Sequence, residues 1–157
     1  MEQTISVEEI EKIQKEWGKS LVEIGKLYLE KKDYKAFAKQ HIEKFYGYRE
    51  GTVLFKPTMA NNKQFRKTFE SGLSYFIGEN PEFPNDRGFA LTPWKDVRFE
   101  NSGFILKESF AIAMGNYFFV DMNGDETKVE YTFGFYRSKD GSLKINLHHS
   151  SMPYNSI

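Results

Sequence analysis

Residues 110–151 read FAIAMGNYFFVDMNGDETKVEYTFGFYRSKDGSLKINLHHSS, and this stretch decides the fold. Asn123-Gly124 and Asp140-Gly141 are hairpin-turn pairs, and the flanking segments are rich in the β-branched and aromatic residues that suit a half-buried pleated surface. Three antiparallel strands are therefore predicted, at about 109–121, 127–137 and 142–151. Upstream, about 95–106 reads as a fourth strand, with Ser102-Gly103 marking a bulge inside it. In the last strand, a period of two places Leu143, Ile145, Leu147, His149 and Ser151 on one face and Lys144, Asn146, His148 and Ser150 on the other. Because the aliphatic face goes inside, His149 and Ser151 are predicted to project into the interior, where an unpaired polar group costs about 1–3 kcal/mol.

Helices precede the strands. Ser6 and Glu9 form an S-x-x-E capping box, and Ile10, Ile13, Trp17, Leu21, Ile24 and Tyr28 recur at helical spacing, predicting a long amphipathic helix over about 7–31. Asp33 is placed to cap a second helix carrying Phe37, His41, Ile42 and Phe45 and ending near Gly47. A short strand from Gly51 to Thr58 is stopped by Pro57, and a third helix is predicted at about 62–77. Residues 79–93, with three prolines, read as a loop. Helices first and long antiparallel strands afterwards is the α+β pattern, with helices covering one face of a curved sheet. The 157 residues fit one domain, 1–157, with no room for a separate cofactor domain.

Composition excludes several function classes. Lys plus Arg and Asp plus Glu balance at 22 each, so no net field draws the chain to nucleic acid or to an anionic membrane. The absence of cysteine removes disulfides, thiol nucleophiles and cysteine metal sites. No apolar run approaches the roughly 18 residues of a membrane span, and the N-terminus lacks the pattern of a signal peptide. A soluble, cytoplasmic protein is expected, or a periplasmic or organellar one if a leader has been removed. Only three histidines are present; His148 and His149 are neighbours on a strand and face apart, and His41 lies on the second helix. A catalytic zinc needs about three protein ligands, so no metal cofactor is expected.

Val53-Leu54-Phe55-Lys56-Pro57-Thr58, Leu73-Ser74-Tyr75-Phe76-Ile77-Gly78, Ala113-Met114-Gly115-Asn116-Tyr117-Phe118-Phe119, Val129-Glu130-Tyr131-Thr132-Phe133-Gly134 and His148-His149-Ser150-Ser151-Met152-Pro153-Tyr154 carry a more specific signal. In these segments the chain resembles the iota-class carbonic anhydrases, relatives of the association, or hub, domain of calcium/calmodulin-dependent protein kinase II. The resemblance implies the cone-shaped fold of nuclear transport factor 2 and ketosteroid isomerase, and reversible hydration of carbon dioxide to bicarbonate without a metal. Carried over by position, it implies a site of Thr58, Tyr75, His149 and Ser151 around the substrate. Many members have a third histidine where this chain has Leu147. A homodimer or larger homo-oligomer is expected through the outer sheet face, because the aromatics assigned to it, Tyr117, Phe119 and Tyr136 among them, are poorly suited to solvent.

In such a site an imidazole is the side chain suited to taking a proton from water near neutral pH. His149 is the base or relay on this reading, with a water organised by hydroxyls alone as the alternative. Thr58, Tyr75 and Ser151 would donate to the oxygens that gain charge. Taken singly, each residue has a structural role available: a core histidine, a turn threonine, a packed tyrosine, a serine bonded to its own backbone. Two other functions stay open on the residues alone, a non-catalytic hub that binds a small carboxylate and an acid–base isomerase of the same superfamily. Arg66 with Glu70 reads as a solvated helix pair, and Arg98 with Glu100 as an interface pair or anion ligands.

Overall fold

The computed structural model describes residues 3–155. Helix α1 spans Val7–Leu29 and is closed at its start by the expected box: Ser6 Oγ accepts the Glu9 N–H at 3.2 Å and the Glu9 carboxylate accepts the Ser6 N–H at 2.9 Å. Ile10, Ile13, Trp17, Leu21 and Ile24 form its buried stripe. Helix α2, Tyr34–Phe45, begins at Asp33, whose carboxylate accepts the Ala36 N–H at 3.1 Å. Strand β1 is Leu54–Lys56. Helix α3 is only Phe69–Ile77, shorter than the sequence predicts, because Thr68 is extended and caps it through Ser71. Residues 61–68 are irregular as a result, which removes the expected helical pairing of Arg66 with Glu70. A short 3₁₀ turn, Phe89–Leu91, interrupts the loop before β2, Trp94–Leu106. Strands β3 (Phe110–Asp121), β4 (Glu126–Arg137) and β5 (Leu143–Ser151) complete the sheet.

The strand order is β1-β5-β4-β3-β2. Neighbours are antiparallel except β1, which pairs parallel with β5. That parallel pair sets Lys56 beside His149, so the chain leaving β1 reaches Thr58 next to the end of β5. Helix α1 crosses β2 and packs on α2, and together the helices cover the concave face of the sheet.

Besides a register shift at Lys95, where β2 begins, two bulges bend the sheet within its strands. The first, at Ser102 in β2, is where the sequence puts it. Across from it lies Gly115, where an added Cβ would come within 2.2 Å of the Glu100 carbonyl oxygen. The second is in β5: Gly134 pairs with Leu147 and Phe135 with Ile145, leaving Asn146 without a partner. Gly134 faces this bulge, and a Cβ there would meet Leu147 Cβ at 2.8 Å. One extra residue inverts the alternation of everything after it. Leu143 and Ile145 point inward as expected, but beyond Asn146 the inward residues are His148 and Ser150, 3% and 1% exposed. His149 is exposed and Ser151 half-buried, on the outer side of the sheet.

The core is aromatic. Trp17, Phe45, Phe55, Phe76, Tyr117, Phe119, Tyr131, Phe133 and Phe135 are all buried, each worth roughly 1.5–3 kcal/mol of transfer free energy or more by the area it removes from water. Tyr117 and Phe119 therefore do not line the outer face; β3 is apolar on both sides, so alternation alone does not tell its faces apart. The outer side instead carries a row across all five strands, Leu54, Leu147, Gly134, Ile112 and Ile105, in register. Leu54, Ile105 and the adjacent Met114 are each more than half exposed.

Candidate active site

Four elements bring hydroxyls and one imidazole to the same place. The end of β5 contributes His148 and Ser150, β3 contributes Tyr117, the turn after β1 contributes Thr58, and α3 contributes Tyr75. Ser150 Oγ is at the centre, 2.5 Å from both Thr58 Oγ1 and the Tyr117 hydroxyl. Tyr117 also reaches His148 Nε2 at 3.1 Å, and His148 Nδ1 meets the Tyr46 hydroxyl at 2.9 Å. Tyr46 in turn accepts the Trp17 indole N–H at 3.2 Å. At the other end the Tyr75 hydroxyl receives the Met59 N–H over a long 3.4 Å and interacts with Thr58. A continuous polar chain thus runs from the centre of the core to Thr58, which is half-buried beside the exposed Met59.

Rings enclose this chain. Phe55 stacks on the His148 imidazole at 4.7 Å and Phe133 meets its edge at 4.4 Å. Phe89 stacks on Tyr75 at 5.5 Å, and Phe119 closes against Phe89 and Tyr117. The electrostatic result is a site without a formal charge of its own. Burial holds the His148 pKa well below the usual imidazole range, and burial raises those of Tyr75, Tyr117 and Tyr46. Near neutral pH His148 is an uncharged imidazole and the tyrosines keep their protons. The nearest cation is Lys56, whose ammonium donates to the Ser150 carbonyl at 3.0 Å and whose pKa is lowered by burial.

A buried ion pair holds the walls in register. The Arg66 guanidinium grips both carboxylate oxygens of Asp86 at 2.6 and 2.8 Å, and the two side chains are 1% and 5% exposed. Arg66 also donates to the carbonyls of Lys63 and Ser71, its own N–H bonds Phe55 O at 2.7 Å, and Ser74 Oγ donates to Asp86 at 2.6 Å. The clasp joins the segment bearing Thr58, the helix bearing Tyr75 and the loop over 79–93. It replaces the expected solvated Arg66–Glu70 pair. Arg98, by contrast, pairs within its own chain, with Glu100 at 2.7 Å and with Glu126 at 3.3 Å, on the exposed side of the sheet.

Of the four residues proposed from sequence, Thr58 and Tyr75 come together and His149 and Ser151 do not. The residues that join them are His148 and Ser150, their neighbours by one position. The signal that could have found this was Gly134, since a glycine inside a strand marks a bulge or a close backbone approach. Tyr46, Tyr117 and Trp17 carried no signal beyond packing. No group of three or more His, Asp or Glu side chains that could hold a metal occurs among the described residues, and both ring nitrogens of His148 are already engaged by tyrosines. A groove of about 560 Å³ between α1 and β2 is lined by Gln14, Lys15, Lys19, Val97, Phe99 and Asn101 among others and does not include the hydroxyl cluster.

Solved structures place the architecture first. A Xanthomonas campestris protein described as a calcium/calmodulin-dependent protein kinase II association domain superposes with a TM-score of 0.61 at 22% identity, over 96% of this chain and 91% of that one. A dehydratase-type protein of the NTF2-like family from Streptomyces avermitilis gives 0.58 at 12% identity, over 95% and 96%. At these identities the likeness is one of fold, and the fold is the NTF2-like cone. The family is decided by closer matches. The model of the family described as metal-independent carbonic anhydrase matches residues 8–152. A metal-independent carbonic anhydrase from Nostoc sp. (strain PCC 7120 / SAG 25.82 / UTEX 2576) is 40% identical over 153 residues, covering 96% of this chain and 75% of the relative. The crystal structure of an iota-carbonic anhydrase from a cyanobacterium, complexed with bicarbonate, superposes with a TM-score of 0.96 at 39% identity, over 99% and 97% of the two chains. This chain belongs to the metal-independent, iota-class carbonic anhydrase family.

Proposed function

We propose that the hydroxyls of Thr58, Tyr75 and Ser150 form the site at which this carbonic anhydrase interconverts carbon dioxide and bicarbonate. The observation that carries the reading is their convergence with Tyr117 on one point at the end of a buried chain, walled by aromatic rings. Carbon dioxide is apolar, and the rings of Phe89 and Phe119 offer it an apolar wall. In the hydration direction a water oxygen donates a lone pair to the carbon, a C=O electron pair moves onto oxygen, and a proton is released. Preorganised hydroxyl donors in a site poor in water stabilise the oxygen that gains charge, without the cost of reorienting solvent. The Lys56 ammonium adds a favourable field for the anionic product.

The test is stopped-flow carbon dioxide hydration on the chelator-dialysed protein and on Thr58→Ala, Tyr75→Phe and Ser150→Ala. Loss of one donor is expected to raise the barrier by roughly 2.7–4 kcal/mol, a hundredfold or more in rate. Wild-type rates in all three variants would reject the site.

The same reading includes a homodimer formed through the outer sheet face, supported by the apolar row of exposed Leu54 and Ile105 with half-buried Leu147 and Ile112 between them. Sedimentation of Ile112→Lys against the wild type checks it, and a wild type that remains monomeric at micromolar concentration counts against it.

A further inference from the structure

The hydroxyl chain has a direction, and one atom sets it. An indole N–H can only donate. Trp17 gives its proton to the Tyr46 oxygen at 3.2 Å, and the other polar partner of that oxygen among the described residues is His148 Nδ1 at 2.9 Å. If Tyr46 places its own proton there, Nδ1 carries a lone pair, and a neutral imidazole then has its proton on Nε2. From Nε2 the order propagates: His148 donates to Tyr117, Tyr117 to Ser150, and Ser150 to Thr58. Every proton points from the core toward the mouth. The opposite tautomer reverses each link and leaves Tyr46 accepting two protons while its own buried O–H has no acceptor among the described residues. An unpaired buried donor disfavours that arrangement by about tenfold or more.

We propose that Trp17 and Tyr46 are positioning residues of this enzyme: the donor-only indole fixes His148 as its Nε2–H tautomer and so commits the mouth, Thr58 and the Tyr75 hydroxyl it touches, to present a donor, rather than a lone pair, to the substrate. Two consequences follow for the chemistry. The mouth is built to hold an oxygen that becomes negative, which is what bicarbonate and the transition state toward it supply. His148 is not the base, because its one lone pair faces Tyr46, so the proton of the attacking water leaves on the solvent side of Thr58 and not along the chain. The consequence for catalysis rests on the hydroxyl cluster being the reaction site, whereas the tautomer does not.

The experiment is ¹⁵N NMR of the histidine-labelled protein near neutral pH, with stopped-flow rates and bicarbonate titration on the same samples. The wild type is expected to show His148 as a single Nε2–H tautomer. Two variants remove the donor: Trp17→Phe, and replacement of Trp17 by β-(3-benzothienyl)alanine, which keeps the bicyclic ring and puts sulfur in place of the N–H. The isostere keeps the test valid should the phenylalanine variant fail to fold. Both are expected to give mixed tautomers, with bicarbonate affinity and hydration rate down by about tenfold, equivalent to about 1.4 kcal/mol. An Nδ1–H tautomer in the wild type overturns the proposal, and so does an isosteric variant that keeps pure Nε2–H or full rate. If Ser150→Ala is fully active while the tautomer behaves as stated, the site assignment fails and the polarity of the chain stands.

Discussion

Two polar networks lie inside this cone, and they differ in how they end. Gln14, Asn101 and Tyr131 form a closed loop: the Gln14 amide donates to Asn101 Oδ1 and the Tyr131 oxygen, both at 2.9 Å, Asn101 donates back at 2.8 Å, and Tyr131 donates to Asn101. All of its side-chain donors but the second Asn101 N–H are spent within the loop, and it ties α1 to β2 and β4 beside the Ser102 bulge. The second network, from Trp17 to Thr58, is a line with one end sealed by a donor-only group and the other near solvent. A network closed on itself can stabilise and specify packing but has little left to offer a ligand. An open one, polarised from its sealed end, leaves a hydrogen-bonding group at its mouth.

Acid should break the comparison most strongly, because the open chain contains a titratable imidazole and the closed loop has only Tyr131, whose pKa is pushed up to about 12 by burial. Burial lowers His148 well below its usual value, and burial lowers His41, whose Nε2 is buried without a partner among the described residues, to about 3. Above about pH 6.5 both histidines are neutral in the folded and unfolded chains and the full stability is present. As pH falls below that, the unfolded chain takes up protons that the folded one refuses, and stability is lost until the folded pKa is reached. The loss is about 1.4 kcal/mol per pH unit for His41, about 3 kcal/mol two units down, and His148 adds a loss of the same sign. Urea midpoints measured from pH 7.5 to 4.5 check this, and His41→Phe should remove its share of the slope.

Single substitutions sharpen the contrast on the scale of one hydrogen bond. Ser150→Ala should cost about 1–3 kcal/mol of stability through the stranded Tyr117 hydroxyl and also lower hydration per folded molecule about a hundredfold or more. Asn101→Ala should cost a similar 1–3 kcal/mol or so, through the stranded Gln14 amide and Tyr131 hydroxyl, while the folded fraction keeps its rate. The idea of two networks with separate duties fails if both variants lose rate equally. The smallest effects are expected from His149→Ala and Ser151→Ala, on the far side of the sheet. Their stability should stay within about 0.5 kcal/mol of wild type and their hydration rates should be unchanged. A hundredfold loss in His149→Ala would restore the phase read from simple alternation and discard the inward pair His148 and Ser150.

Much of this protein is determined locally and is therefore legible in the chain. Capping boxes, helical spacing and turn glycines act over three or four residues, and α1, the start of α2, both hairpins and the Ser102 bulge are found where those rules put them. Thr58 and Tyr75 were legible through the segments that carry the family resemblance. Tertiary structure decided the rest, for a physical reason that recurs. The faces of β5 depend on Asn146 being squeezed out opposite Gly134, a relation between strands that no period within one strand contains. Arg66 met Asp86, not Glu70, because a capped helix start at Thr68 left it in irregular chain beside a distant loop. Trp17, Tyr46 and Tyr117 look like packing residues along the chain, and they become a directed hydrogen-bond chain only when folding brings together one indole donor and one imidazole 131 positions later.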